Sequence, residues 1–110
     1  MNSKILTLLG FASKAGKLSY GMNSTTETIK RGKSQLAVLS SEVSAKSQKE
    51  INFHSKNNNV RVIILDDCNI QTLSEAVGKK CGIISVNDIS FADGILKAMS
   101  NDSRNNGGNV

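Results

Sequence analysis

The hexapeptide VRVIIL, Val60 to Leu65, is the clearest strand in the chain and decides how its neighbours are read. It sets β-branched and long aliphatic side chains in a run too short for a helix, between KNNN (56–59) and DDCN (66–69), both rich in turn formers. Such a strand is apolar on both faces and needs cover on both. Working outward, QLAVLS (35–40) and GIISV (82–86) have the same character, and Lys17 to Tyr20 reads as a very short fourth strand. Helical patterns fill the intervals. Ile5, Leu8, Leu9 and Ala12 form a stripe in a first helix capped by Asn2 or Ser3 and ended by Gly16. A polar helix is expected from Ser44 to His54, another carries Ile70, Leu73 and Val77 up to Gly78, and the last carries Ala92, Ile95, Leu96 and Met99.

Strands alternating with helices of this length imply an α/β fold, a three-layer α/β/α sandwich. A chain of 110 residues is one domain's worth. We assign residues 1–99 to it and expect a disordered tail over 100–110, SNDSRNNGGNV, which lacks the apolar residues to fold.

The net charge of +5 is unevenly spread. Residues 1–33 hold Lys4, Lys14, Lys17, Lys30, Arg31 and Lys33 against Glu27 alone, whereas the remainder is balanced. That asymmetry suits an anionic partner, nucleic acid before membrane, and taken alone suits a basic face kept for solubility equally well. No apolar run approaches the length needed to cross a bilayer, and ILTLLGFA (5–12) is too short and wrongly flanked for a signal peptide, so a cytoplasmic protein is expected. Cys68 and Cys81 are too few for a disulfide framework and, with His54 as the only imidazole, assemble no zinc motif; free thiols and no cofactor are expected.

Two glycine–lysine stretches imitate phosphate-binding loops. GFASKAGKL (10–18) has five residues between its glycines, Leu18 where Ser or Thr is required and a helix where a strand is needed, and GKS (32–34) has Glu27 at the upstream glycine position. Neither qualifies. Nothing ties His54 to a cysteine, and Asp66 and Asp67, adjacent in a turn, point apart, which suits turn formation and capping better than shared proton transfer. A nucleophilic cysteine enzyme is thus the weakest of three readings. The chain has few aromatics, and Phe11 and Phe91 read as core, which argues against a base-stacking sheet.

The stretch YGMNSTTETIKRG, Tyr20 to Gly32, reads as a short polar helix starting near Asn23 or Ser24, with Ser24-x-x-Glu27 as a capping box and Gly32 as its stop. Its N-terminus offers backbone N–H groups and the short amide of Asn23, with lysines around it, a combination suited to phosphates and base edges.

The run LLGFASKAGKLSYGMNSTTETIKRGKSQLAVLSSEVS (8–44), followed by VRVIIL, TLSEAVGKKCG and ISVNDISFADGI, resembles the ribosomal-protein superfamily that binds kink-turn RNA, the L-seven-Ae and L-thirty-e group, over about residues 4–99. The resemblance implies a sandwich with a mixed four-stranded sheet, and a non-enzymatic protein that meets structured RNA, ribosomal or otherwise, as a monomer. It further implies that Gly21, Met22 and Asn23 open the RNA-facing helix, with Ser24 where the family usually has Glu and Glu27 where a Lys is common. Lys17 matches a lysine near the RNA backbone, and Lys30 and Arg31 fall at the helix end. Lys79, Lys80 and Cys81 occupy the loop that in the family packs on a flipped-out base. The departures at Ser24 and Glu27 motivate a second reading, a protein-interaction adaptor that keeps the fold without specific RNA binding.

Overall fold

The computed structural model describes residues 3–106, with side chains described for residues 3–100. Five helices and four strands alternate: α1 (Ser3–Lys14), β1 (Leu18–Tyr20), α2 (Met22–Lys30), β2 (Leu36–Ser40), α3 (Ala45–Asn57), β3 (Arg61–Leu65), α4 (Ile70–Val77), β4 (Ile83–Val86) and α5 (Ile89–Asn106). The strands form a mixed sheet in the order β1-β4-β2-β3. Strands β2 and β3 are parallel, pairing Leu36 with Arg61 and Ser40 with Leu65, while β4 runs antiparallel to both β1 and β2.

Period-two alternation along the strands divides the core between two faces. Leu36, Val38, Ile84 and Val86 point to the side covered by α1, α4 and α5, where Leu9, Leu73 and Ile95 are fully buried. Ala37, Leu39 and Ile83 point the other way, toward α2 and α3, where Ile51 is fully buried against them. Each such Leu, Ile or Val side chain contributes about 1.5–3 kcal/mol relative to exposure. The larger core is drawn tight at Gly10, where a Cβ would lie 2.9 Å from the carbonyl oxygen of Ala76. That glycine sits inside α1, so the first of the two imitation phosphate loops is helix.

Three expectations need correction. Phe11 is exposed rather than core, because it falls on the outer stripe of α1 with Thr7 and Lys14, opposite Ile5, Leu9 and Ala12. The segment expected to be unstructured from Ser100 continues α5 to Asn106, since nothing before Gly107 interrupts a helix already propagating. Residues 107–110 of that expected tail lie outside the described residues, as does Asn2, one of the two proposed caps of α1. Third, Asp66 and Asp67 lie in the β3–α4 turn, but the cap of α4 is Asn69, whose Oδ1 accepts from the Thr72 amide at 2.8 Å.

Candidate nucleic-acid interface

The route from β1 into α2 is set by Gly21. Its φ of 88° and ψ of 170° belong to a region that side chains beyond hydrogen avoid. Its amide donates to the Ile83 carbonyl at 2.8 Å, so the chain leaves the sheet and enters the helix within one residue. Helix α2 consequently begins at Met22, earlier than the capping box requires. Ser24 becomes the third helical residue and Glu27 an interior one, and no side chain caps the helix. The expected Ser24–Glu27 box therefore does not form, and Glu27 pairs instead with Arg31 at 2.8 Å.

The bare start of α2 stands apart from the starts of α3, α4 and α5. Ser44 caps α3 through the Ser47 amide, Asn69 caps α4 and Asp88 accepts from the Phe91 amide of α5. Glu42 also accepts from the Ile70 amide at 2.8 Å, neutralising a second donor of α4. These starts are not scattered. Gly21 and Met22, Ser44 and Ser47, and Ile70 line one cleft of about 270 Å³, floored by Gly82 and Ile83 and edged by Glu42. Three helix N-termini thus meet at one place, two with their donors already satisfied by side chains and one without.

Around that opening, Asn23 and Ser24 are exposed, while Met22 turns its thioether toward the small core and the Thr26 hydroxyl, which donates to the Met22 carbonyl. Asn23, Thr26, Glu27, Lys30 and Arg31 lie along one flank of α2 and, with Glu50 and His54 of α3, line a groove of about 440 Å³. Lys30 and Arg31 lie roughly 12 Å down the helix from its start, so they serve this flank rather than the N-terminal opening. Lys17 is exposed at the foot of β1.

The loop between α4 and β4 brings a further cation next to β1. The Lys79 ammonium lies 4.9 Å from the centroid of the Tyr20 ring, a cation–π contact that places it beside the entry to α2. Tyr20 is itself anchored. Ser13 donates its one hydroxyl proton to the Val77 carbonyl at 2.7 Å, so the short bond between Ser13 Oγ and the Tyr20 hydroxyl is donated by Tyr20. Lys80 is exposed, whereas Cys81 is buried, its thiol directed to the Lys79 carbonyl at 3.2 Å. Burial raises both thiols above the ordinary value, with Asp67 adding to the effect at Cys68 and Lys79 opposing it at Cys81. Both cysteines belong to the core on the α1, α4 and α5 side, while His54 is on α3 across the sheet, so no Cys–His pair is assembled. Among the described residues no group of His, Cys, Asp or Glu could hold a metal ion, and no helix is long and apolar enough to cross a membrane.

Residues 3–93 match the ribosomal protein L7Ae/L30e/S12e/Gadd45 family. The chain belongs to that family. Among its relatives, large ribosomal subunit protein eL30 of Candida glabrata is 29% identical over 94 residues, which cover 84% of this chain and 88% of that protein. A solved structure of a protein with unknown function from Bacillus halodurans C superposes with a TM-score of 0.83 at 26% identity, covering 88% of this chain and 97% of that one. The Giardia lamblia 15.5kD RNA binding protein shares the fold, with a TM-score of 0.75 at 12% identity over 90% of this chain and 84% of its own.

In this L7Ae/L30e-type chain the structure brings Gly21, Met22, Asn23 and Ser24 together with Lys79 through Tyr20. It sets Glu27, Lys30 and Arg31 along the adjoining flank and withdraws the side chain of Cys81 into the core. Sequence reasoning missed Glu42, whose link to Ile70 spans 28 positions, and Tyr20 as the platform for Lys79; neither contact leaves a local spacing signal. His54, assigned no role from the sequence, is half-buried in the groove with α2.

Proposed function

We propose that the protein is a non-enzymatic, monomeric, cytoplasmic RNA-binding protein of the ribosomal type that recognises structured, kink-turn-like RNA at the start of α2. The observation that carries this reading is the uncapped N-terminus of α2, set beside capped neighbours in one cleft. First-turn amides there are free to donate to phosphate or base acceptors. The exposed Asn23 side chain offers a donor and an acceptor to base edges, while Lys17 and the Lys79–Lys80 pair neutralise flanking phosphates. Family membership and the relation to eL30, a component of the large ribosomal subunit, support RNA, and through it the ribosome, as the partner.

The test is a titration into a labelled kink-turn RNA and a copy with its G·A pairs replaced, at two salt concentrations. Tight binding to the intact kink alone is expected, weakened by Asn23→Ala, and with a salt slope lowered by about one unit per lost phosphate contact in a Lys79→Ala/Lys80→Ala variant. Equal, salt-sensitive binding to both RNAs would reduce the site to a generic basic patch. Absence of binding to either would favour the protein-interaction adaptor.

A further inference from the structure

The flank of α2 continues onto a surface that the site above does not use. Helix α3 carries Lys46, Lys49, Phe53 and Lys56 at i, i+3, i+7 and i+10, all exposed, so one face of the helix presents a phenyl ring with lysines above and below it. Phe53 is 63% exposed, the most open of the large apolar side chains described. Its ring meets that of His54 edge-on at 5.3 Å between centroids, which holds one orientation while leaving the ring accessible. His54 in turn lines the groove that runs along α2 past Asn23, Glu27 and Lys30, so the phenyl ring packs on one residue of that groove's wall. The three α3 lysines form no ion pair among the described residues, and Glu50 is the only acidic residue of the helix.

A single exposed phenylalanine is common on protein surfaces. What separates this one is the regular placement of cations around it and its contact with His54, which lines the groove along α2. An aromatic face flanked by unpaired cations, along a polar channel, is the arrangement that takes single-stranded nucleic acid, with bases stacking and phosphates neutralised.

We infer that the outer face of α3 binds a single-stranded RNA segment that leaves the structured RNA seated at α2, one base stacking on Phe53 and its neighbouring phosphates meeting Lys46, Lys49 and Lys56. The inference rests on the RNA-binding reading and extends it to a second surface.

The experiment compares the kink-turn RNA with the same RNA carrying a tail of about six nucleotides on either strand, within the site sizes of single-strand binders, and containing 2-aminopurine. The tail on one strand is expected to tighten binding about tenfold and to quench the fluorophore, an effect in the range of one stacked base. Phe53→Ala should abolish both the gain and the quenching while leaving tail-free binding unchanged; Phe53→Trp should keep them. Lys49→Ala/Lys56→Ala should lower the salt slope of the tailed complex alone. A tail without effect on either strand, or a gain that survives Phe53→Ala, overturns the proposal. If the kink-turn RNA itself fails to bind, the function proposed above falls, and the free hexanucleotide at low salt decides this surface separately. Quenching lost in Phe53→Ala sustains the α3 site, and no quenching removes it. Phe53-dependent binding of a polyglutamate peptide, with no tail effect, would give the face to an acidic protein and overturn the RNA assignment.

Discussion

The Glu27 carboxylate lies 2.8 Å from the Arg31 guanidinium, one turn further along α2, with both side chains mostly exposed. The only acidic residue in the basic first third of the chain thus spends its charge on a neighbour, and the cost is shared: Arg31 is masked as well as Glu27. Exposed pairs at this spacing stabilise a helix by about 0.3–0.5 kcal/mol. Glu27→Gln should therefore leave stability almost unchanged. It should tighten RNA binding about threefold at low salt, the effect of one unit charge roughly 6 Å from a phosphate in water. Filter binding at two salt concentrations checks this; weaker binding would mean that the carboxylate accepts from a base amino group.

Gly21 makes a sharper prediction. Open space surrounds the position, so a methyl group meets nothing, yet φ of 88° and ψ of 170° penalise any Cβ. Gly21→Ala should cost about 1–3 kcal/mol through backbone strain alone. The loss would be read as a lower urea midpoint with an unchanged slope. RNA affinity should fall too, since relief of the strain requires the first turn of α2 to move.

Tyr20 separates a structural contact from a binding one. Tyr20→Phe deletes the bond to Ser13 but keeps the ring beneath Lys79. It should lower stability by about 0.5–1.5 kcal/mol and leave the salt dependence of RNA binding intact. Tyr20→Leu removes both, so Lys79 is no longer held beside α2, and RNA should dissociate faster at equal salt. Stopped-flow dissociation of the two variants distinguishes the effects.

The thiols predict an alkaline limit. Burial holds both cysteines above their ordinary value of about 9. As pH rises through that value the unfolded chain loses thiol protons that the folded chain retains, and folding stability falls. Their contribution is fully present below that pH and declines above it. The denaturation midpoint should therefore drop between about pH 8.5 and 10, and less so in Cys68→Ala/Cys81→Ala compared with its own neutral-pH value. Alkylation of the folded protein at neutral pH should be much slower than in urea.

The layers of the fold were legible because VRVIIL, QLAVLS and GIISV are short apolar runs separated by helix-length intervals, and local periodicity carries that information without tertiary context. The start of α2 was misread by one or two residues for a definite reason. Ser24-x-x-Glu27 satisfies a capping pattern, but the Gly21 amide bonds across the sheet to Ile83, and that long-range bond starts the helix earlier than local chemistry favours. Phe11 was misread because an aromatic beside LLG suggests core, whereas the helical angle from Leu9 turns it outward. Lys46, Lys49, Phe53 and Lys56 were legible in spacing but meaningless until the fold set His54 against the flank of α2.

Strand β1 is three residues long, lies at the edge of the sheet and pairs only with β4. Helix α2 departs from its last residue, and Lys79 rests on the ring of that same residue. The uncapped start of α2 and the cation beside it therefore both depend on the least extensively paired strand of the sheet. If β1 frays, the start of α2 and the seat of Lys79 are released in one event, so hydrogen exchange at the Tyr20 and Gly21 amides would report the lifetime of the assembled site, and bound RNA would slow both amides together.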